Sequence, residues 1–91
     1  MLSFNSFDEV VKRANNNDLG LCSYICTNSM EKAHKASEMM ETGTVAVNTP
    51  VVAIAEAPFG GIKQTGYGRE GGSMAIKDYL NVKYTHMGLK V

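Results

Sequence analysis

The sequence predicts a small α/β fold: a βαβ core with flanking helices and a projecting C-terminal strand. Apolar residues recur at helical spacing near the N-terminus and again after residue 28, and short apolar runs lie on either side of the second helical segment. A proline- and glycine-rich stretch separates this core from a last helix and strand. Two strands joined by a helix usually lie parallel in one sheet, so we expect two parallel strands with a right-handed crossover between them. Ninety-one residues allow one domain at most.

The first helix is predicted to begin after Ser6. Ser6 and Glu9 fit the S-x-x-E capping box, in which the hydroxyl caps the first turn and the carboxylate reaches back to the N-cap amide. The apolar residues that follow at helical spacing are Phe7, Val10, Val11 and Ala14. The asparagine run at 15–17 and Gly20 should end this helix, because short polar side chains compete for backbone hydrogen bonds.

The βαβ core is predicted between residues 21 and 48. Residues 21–27 (LCSYICT) form a short apolar run suited to a buried strand. Asn28 or Ser29 can cap the second helix. The inward stripe of that helix should contain Ala33, Ala36, Ser37 and Met40. Gly43 lies where a left-handed C-cap is expected, and residues 44–48 are predicted as the second strand.

The remaining residues predict an ordered loop, a helix and a strand. Residues 49–68 are rich in proline and glycine but carry too many apolar side chains for an exposed linker. A third helix is expected at about residues 70–80, with Ile76, Tyr79 and Leu80 on one side. Residues 81–89 (NVKYTHMGL) alternate as a strand would.

Composition excludes several classes of function. Nine basic and nine acidic residues cancel, so we expect no binding to nucleic acid or to an anionic membrane. No apolar run approaches the ~20 residues that span a bilayer, and the N-terminus lacks the pattern of a secretory signal. Two cysteines are too few for a disulfide framework, which favours a reducing, cytoplasmic setting.

Chemical motifs are few. Residues 66–71 match G-x-G-x-x-G, but no strand is predicted just before them and no acidic residue follows at the distance that a dinucleotide site needs. Cys22 and Cys26 are predicted to be buried structural thiols rather than nucleophiles or metal ligands. His34 and His86 do not form a metal-ligand pair. The residues alone therefore predict no catalytic group, no bound cofactor and no metal.

The segment APFGGIKQTGYGRE at residues 57–70 resembles the pattern P-F-G-G-x-K-x-S-G-x-G-R-E of aldehyde dehydrogenases, with Thr65 in place of the usual serine. The upstream segment, from Ala14-Asn15 through the G-x-V-x-V-N match at residues 43–48, resembles the same family. The ending IKDYLNVKYTHMGL is most similar to succinate-semialdehyde dehydrogenases. The resemblance implies that residues 1–80 are part of the catalytic domain and that residues 81–91 are an oligomerisation strand.

The resemblance implies oxidation of an aldehyde, with succinate semialdehyde as the first expectation, by NAD or NADP in the parent enzyme. The family's catalytic cysteine, general-base glutamate and cofactor domain do not map onto this chain, so the isolated chain is expected to be inactive and to bind no cofactor. Phe59 is expected to line the substrate tunnel, and residues 51–56 to form its mouth. Ala53 and Ile54 stand where succinate-semialdehyde enzymes commonly place a serine, and they offer no hydrogen-bond donor.

The terminal strand has a family role as well. Its face with Val82, Tyr84 and His86 is expected to form the oligomer interface, with the missing upstream part or another copy as partner. The alternative is a non-catalytic remnant that associates with itself through this strand. Relatives often carry glutamate at the position of Asn81, and without that carboxylate Arg69 is expected to pair with Glu70, Asp78 or water.

Overall fold

The structure is a computed structural model that describes residues 1–90. It contains two α-helices, four short strands and one 3₁₀ helix: α1 (Phe7–Asn15), β1 (Leu19–Gly20), β2 (Cys22–Ile25), α2 (Met30–Met39), β3 (Thr44–Val47), β4 (Ile62–Lys63) and the 3₁₀ helix (Ala75–Tyr79). The α/β class predicted from the sequence is confirmed, and the last helix is shorter than predicted.

The βαβ unit is present as predicted. Strands β2 and β3 are parallel, with Cys22 opposite Thr44 and Ile25 opposite Val47. Helix α2 connects them and packs against β2. The buried apolar side chains among the described residues are Val11, Ala33, Ala36 and Ala46. The core therefore lies where the two helices cover this parallel pair, and it is built largely from alanine.

Helix α1 begins at the predicted cap. The Ser6 hydroxyl accepts a hydrogen bond from the Glu9 amide at 3.2 Å. The returning bond differs from the capping box, because the Glu9 carboxylate accepts from the amide of Asn5, at 2.9 Å. At the other end, the Asn15 side chain donates to Met39 O at 2.8 Å and accepts from the Glu41 amide at 2.9 Å. Asn15 thus fastens the end of α1 to the end of α2.

The first apolar run is not the single buried strand that we predicted. Within residues 21–27 only β2 (Cys22–Ile25) is strand, and its side chains are half-buried or exposed. A separate strand, β1, lies before this run and pairs antiparallel with β4, with Leu19 opposite Lys63 and Gly20 opposite Ile62. Strand β4 was not predicted, because a two-residue strand carries too little periodicity to be recognised. The prediction of two buried thiols is also wrong: Cys26 is exposed and Cys22 is half-buried.

Gly43 is not the left-handed C-cap that we predicted. Helix α2 ends at Met40, whose φ of −71° and ψ of 125° are extended. The 57–61 segment lies directly on the α2–β3 turn, and a Cβ on Gly43 would overlap the carbonyl oxygen of Gly60. A side chain therefore does not fit at position 43. Glycine serves here for close backbone approach rather than for positive φ.

The predicted third α-helix over residues 70–80 is wrong. Gly71 and Gly72 adopt positive φ, at 69° and 61°, which is incompatible with a right-handed helix at these positions. Only the 3₁₀ helix Ala75–Tyr79 follows. Ile76, Tyr79 and Leu80, which were predicted to share one side of that helix, are all exposed.

Residues 81–90 extend from the folded part and are exposed throughout. Within the described chain they form no strand, because no neighbouring strand supplies backbone hydrogen bonds to them. The long dimension is 75 Å and the radius of gyration is 19.0 Å, against ~12 Å for a compact domain of this length. Among residues 1–90 no helix is long and apolar enough to cross a membrane.

Candidate functional site

The candidate site is the loop that links β3 to β4. Its first part contains Ala53 and Ile54, both exposed, and a turn in which the Ala57 amide donates to Ile54 O at 3.3 Å. The Gly72 amide donates to Ala55 O at 2.8 Å. A Cβ on Gly71 would lie 2.8 Å from Ala57 O. The turn therefore packs closely against Gly71 and Gly72. Both glycines have positive φ, and this conformation allows the close approach.

Phe59 is held in this loop by two backbone hydrogen bonds. Its amide donates to Glu70 O at 2.7 Å, and its carbonyl accepts from the Glu70 amide at 2.7 Å, so the two residues form an antiparallel bridge. The Phe59 side chain is half-buried and lines a hollow of about 260 Å³ with Thr65, Tyr67 and Arg69. Ala53, Ile54 and Phe59 thus share one loop, but Phe59 alone of the three lines this hollow.

Arg69 stabilises the glycine-rich part of the site. Its guanidinium donates to Gly61 O at 2.9 Å and to Gly68 O at 2.7 Å. Asp78 accepts from the backbone amide of Arg69 at 2.9 Å rather than from the guanidinium. Of the expected partners, neither Glu70 nor Asp78 forms an ion pair with this guanidinium within the described residues; its Nη1 donates to the two backbone carbonyls instead. A single side chain ties together both ends of the segment 61–68.

Lys63 is the main residue of the site that the sequence did not reveal. Its ammonium lies 2.6 Å from the Glu41 carboxylate and donates to Asn15 O at 3.0 Å and to Asn17 O at 3.2 Å. Its φ of 56° is left-handed, which is uncommon for a side chain of this size. Lys63 is the lysine of the P-F-G-G-x-K pattern, which could have drawn attention to it. No local pattern, however, predicts contacts to residues more than forty positions away.

Asn48 anchors the start of the loop. Its side chain accepts from the Thr27 amide at 3.0 Å and donates to Thr27 O at 2.9 Å. Its own amide donates to Ile25 O at 2.8 Å, continuing the β2–β3 ladder. Its φ of 56° turns the chain out of β3 into the loop. Asparagine is one of the residues that tolerate this conformation, because its short polar side chain can bond locally.

The glycine motif at residues 66–71 does not fit a dinucleotide. A turn rather than a strand precedes it, and no α-helix opens within it among the described residues. A dinucleotide fingerprint requires both, since the pyrophosphate is bound at the N-terminus of that helix. Gly66 and Gly68 have positive φ, at 121° and 83°, which accounts for these glycines as loop formers.

The cysteines have no catalytic partner in the described chain. The Cys22 thiol lies 3.6 Å from the Tyr24 hydroxyl, and this hydrogen bond raises the pKa of the phenol above its ordinary value. Within residues 1–90 the hydrogen bond of a thiol is the one between Cys22 and Tyr24, and no group of three or more His, Cys, Asp or Glu side chains there could hold a metal ion. A thiol beside a neutral phenol is not activated as a nucleophile.

The predicted interface residues lie apart from the loop. Val82, Tyr84 and His86 are fully or largely exposed in the extended C-terminal segment. The Tyr84 hydroxyl and His86 Nδ1 are 3.1 Å apart, so these two side chains lie on the same side, as alternation predicts. Nothing in residues 1–80 covers them.

Comparison with known proteins identifies the family. The chain is 46% identical over 88 residues to the 3-sulfolactaldehyde dehydrogenase of Pseudomonas putida, covering 97% of the chain and 18% of that protein. It is 39% identical over 88 residues to the mitochondrial succinate-semialdehyde dehydrogenase of Oryza sativa subsp. japonica, covering 97% and 17%. The solved NAD⁺ complex of an aldehyde dehydrogenase from Bacillus cereus matches 90% of the chain and 17% of its own, with a TM-score of 0.87 at 43% identity.

The chain thus spans less than a fifth of the length of each of these relatives. Their names cover different aldehydes, so the likeness extends across several subfamilies rather than to one of them. The profile of the aldehyde dehydrogenase family matches residues 1–85, and the chain belongs to that family.

Proposed function

We propose that this chain forms the C-terminal part of an NAD(P)-dependent aldehyde dehydrogenase and supplies one wall of its substrate tunnel. The observation that carries this proposal is Phe59, fixed by two reciprocal 2.7 Å hydrogen bonds beside an open hollow of about 260 Å³. A half-buried aromatic ring on a well-determined backbone is suited to an apolar substrate wall. Ala53 and Ile54 form the exposed mouth of the same loop.

The parent reaction converts an aldehyde, water and oxidised NAD or NADP to the acid and the reduced cofactor. The reaction needs a thiolate, a general base and a dinucleotide site, and we infer from the family resemblance that the rest of the parent enzyme supplies them. The role of this chain is to orient the aldehyde and to exclude water along one side of the tunnel. The isolated chain is therefore proposed to be catalytically inactive and to bind neither NAD nor NADP.

Succinate semialdehyde is the substrate that we propose first, from the likeness of residues 76–89 to enzymes of that name. The loop itself contributes no donor to the distal carboxylate, because Ala53 and Ile54 are apolar. Recognition of that carboxylate is therefore assigned to residues outside this chain. An uncharged aldehyde of similar length is the competing substrate class, and the apolar mouth favours it.

A chimeric enzyme tests this function. The matching 88-residue segment of the Pseudomonas putida relative is replaced by this chain, and formation of reduced NAD or NADP is followed with succinate semialdehyde and with butanal. We expect activity from the chimera and none from the chain alone. A folded chimera that oxidises neither aldehyde would overturn the proposal, as would turnover by the purified chain alone.

A second function rests on a different observation. Residues 81–90 present large apolar side chains without cover, including Val82, which is fully exposed, and Leu89 at 90% exposure. An unpaired extended segment of this kind can recruit a strand from another chain. The chain is then a self-associating, non-catalytic protein. Analytical ultracentrifugation that finds a strict monomer at high concentration would reject this second function.

A further inference from the structure

The Lys63 side chain joins β4 to the end of α1 and to the α2–β3 turn. We propose that Lys63 is a positioning residue that sets the substrate-tunnel loop, and so determines aldehyde affinity through Phe59. This inference rests on the proposed function. The Lys63 side chain binds the downstream end of the loop to the βαβ core.

The ammonium of Lys63 is matched to its surroundings. It has three N–H donors, and it meets three acceptors: Asn15 O at 3.0 Å, Asn17 O at 3.2 Å and the Glu41 carboxylate at 2.6 Å. Its side chain is 24% exposed, whereas that of Glu41 is 55% exposed. The position at the C-terminal end of α1 is also favourable for a cation, because the helix dipole is negative there.

The backbone of Lys63 points to the same conclusion. A non-glycine residue with φ of 56° is strained, and such residues persist only where surrounding contacts determine them. Here the contacts are the β1–β4 pairing and the hydrogen bond from the Gln64 amide to Asp18 O at 2.9 Å. With this backbone conformation, the Lys63 side chain reaches the C-terminal end of α1 and the α2–β3 turn.

The loop and the core meet at two neighbouring points. Lys63 binds Glu41, and Gly60 packs its carbonyl against Gly43 so closely that a Cβ on Gly43 would overlap it. Glu41 and Gly43 both belong to the α2–β3 turn. Phe59 is adjacent to Gly60, so loss of the Lys63 contact frees the segment that carries the aromatic ring.

The experiment compares Lys63→Met, which keeps the aliphatic stem and removes the three donors, with Lys63→Arg and with the exposed control Lys77→Met. Amide hydrogen exchange is measured on the chain by NMR. We expect Lys63→Met to speed exchange at Phe59 and Glu70 by about tenfold, as a local opening, with the Ala46 amide unchanged. Lys63→Arg, which keeps the charge, should fall between Lys63→Met and the unmodified chain.

The same variants are placed in the chimeric enzyme. We expect Lys63→Met to raise KM for the aldehyde about tenfold while kcat stays within about twofold, because binding and not chemistry is altered. Lys77→Met should change neither. Equal exchange at Phe59 and Glu70 in Lys63→Met and the unmodified chain overturns the inference. Loss of protection at Ala46 together with Phe59 also overturns it, since the residue is then a general stabiliser.

The two proposals fail in distinguishable ways. If the unmodified chimera forms no reduced cofactor, the proposed function fails, while the exchange data still report whether Lys63 holds the loop. If the chimera is active and Lys63→Met lowers kcat and KM in the same proportion, the function stands and the positioning role of Lys63 is rejected.

Discussion

Replacing Asn48 tests whether the start of the β3–β4 loop, the proposed tunnel wall, is fixed by a left-handed residue with a bonded side chain. Asn48→Ala removes two hydrogen bonds to Thr27, at 3.0 and 2.9 Å. Each contributes about 0.5–1.5 kcal/mol, and their exposure places them at the lower end, so the pair is worth about 1–2 kcal/mol. Alanine at a φ of 56° adds about 1 kcal/mol of backbone strain. The expected loss of unfolding free energy is therefore about 2–3 kcal/mol.

Asn48→Gly separates the two contributions. Glycine loses the same side-chain bonds but adopts positive φ without strain, so its expected loss is about 1–2 kcal/mol. Urea unfolding followed by circular dichroism measures both variants. The control is Asn28→Ala, at an exposed asparagine for which residues 1–90 provide no side-chain hydrogen bond, with an expected loss below about 0.5 kcal/mol. Equal losses for the alanine and glycine variants would refute the role of the left-handed conformation.

Three further predictions concern the core, the thiol and the terminus. Gly43→Ala should lower the unfolding free energy by about 1–3 kcal/mol through overlap with Gly60 O, and an unchanged urea midpoint would contradict this. Cys22→Ala should lower the pKa of Tyr24 towards its ordinary value by removing the bonded thiol, and an NMR titration of the ring signals that shows no downward shift would count against it. Val82→Lys should raise the monomer fraction in sedimentation equilibrium, because a charge on the open segment opposes strand pairing; unchanged association would exclude that face.

The elements that the sequence predicted correctly depend on neighbours in the chain. Helix α1 begins after the N-cap Ser6 because a hydroxyl three residues before an amide can cap it, and helix α2 begins after Ser29, one of its two predicted caps, for the same reason. The parallel pairing of β2 with β3 follows from strand, helix and strand in succession. Local chemistry was sufficient for these elements, so their prediction needed no knowledge of the tertiary contacts.

The failures have a different cause. The third helix was predicted from the spacing of Ile76 and Tyr79. Gly71 and Gly72 instead adopt positive φ, and the Gly72 amide donates to Ala55 O in the β3–β4 loop. The packing of this loop against the two glycines thus prevents the helix that the apolar spacing predicts. Lys63 was missed for a related reason: its three acceptors come from α1, the residues after α1, and the α2–β3 turn. Contacts of such range leave no periodic trace in the sequence.

The packing of the chain explains why its proposed activity depends on a partner. Among the described residues, three of the four buried apolar side chains are alanines, Ala33, Ala36 and Ala46, while Val82 and Tyr84 are among many large apolar residues left exposed. Alanine buries little area, so the apolar contribution to stability is small. Hydrogen bonds within the chain determine the shape of the β3–β4 loop. In the assembly that we propose, a partner covers the exposed surface, so aldehyde affinity is expected only there, and the Lys63 contact is expected to support it through Phe59.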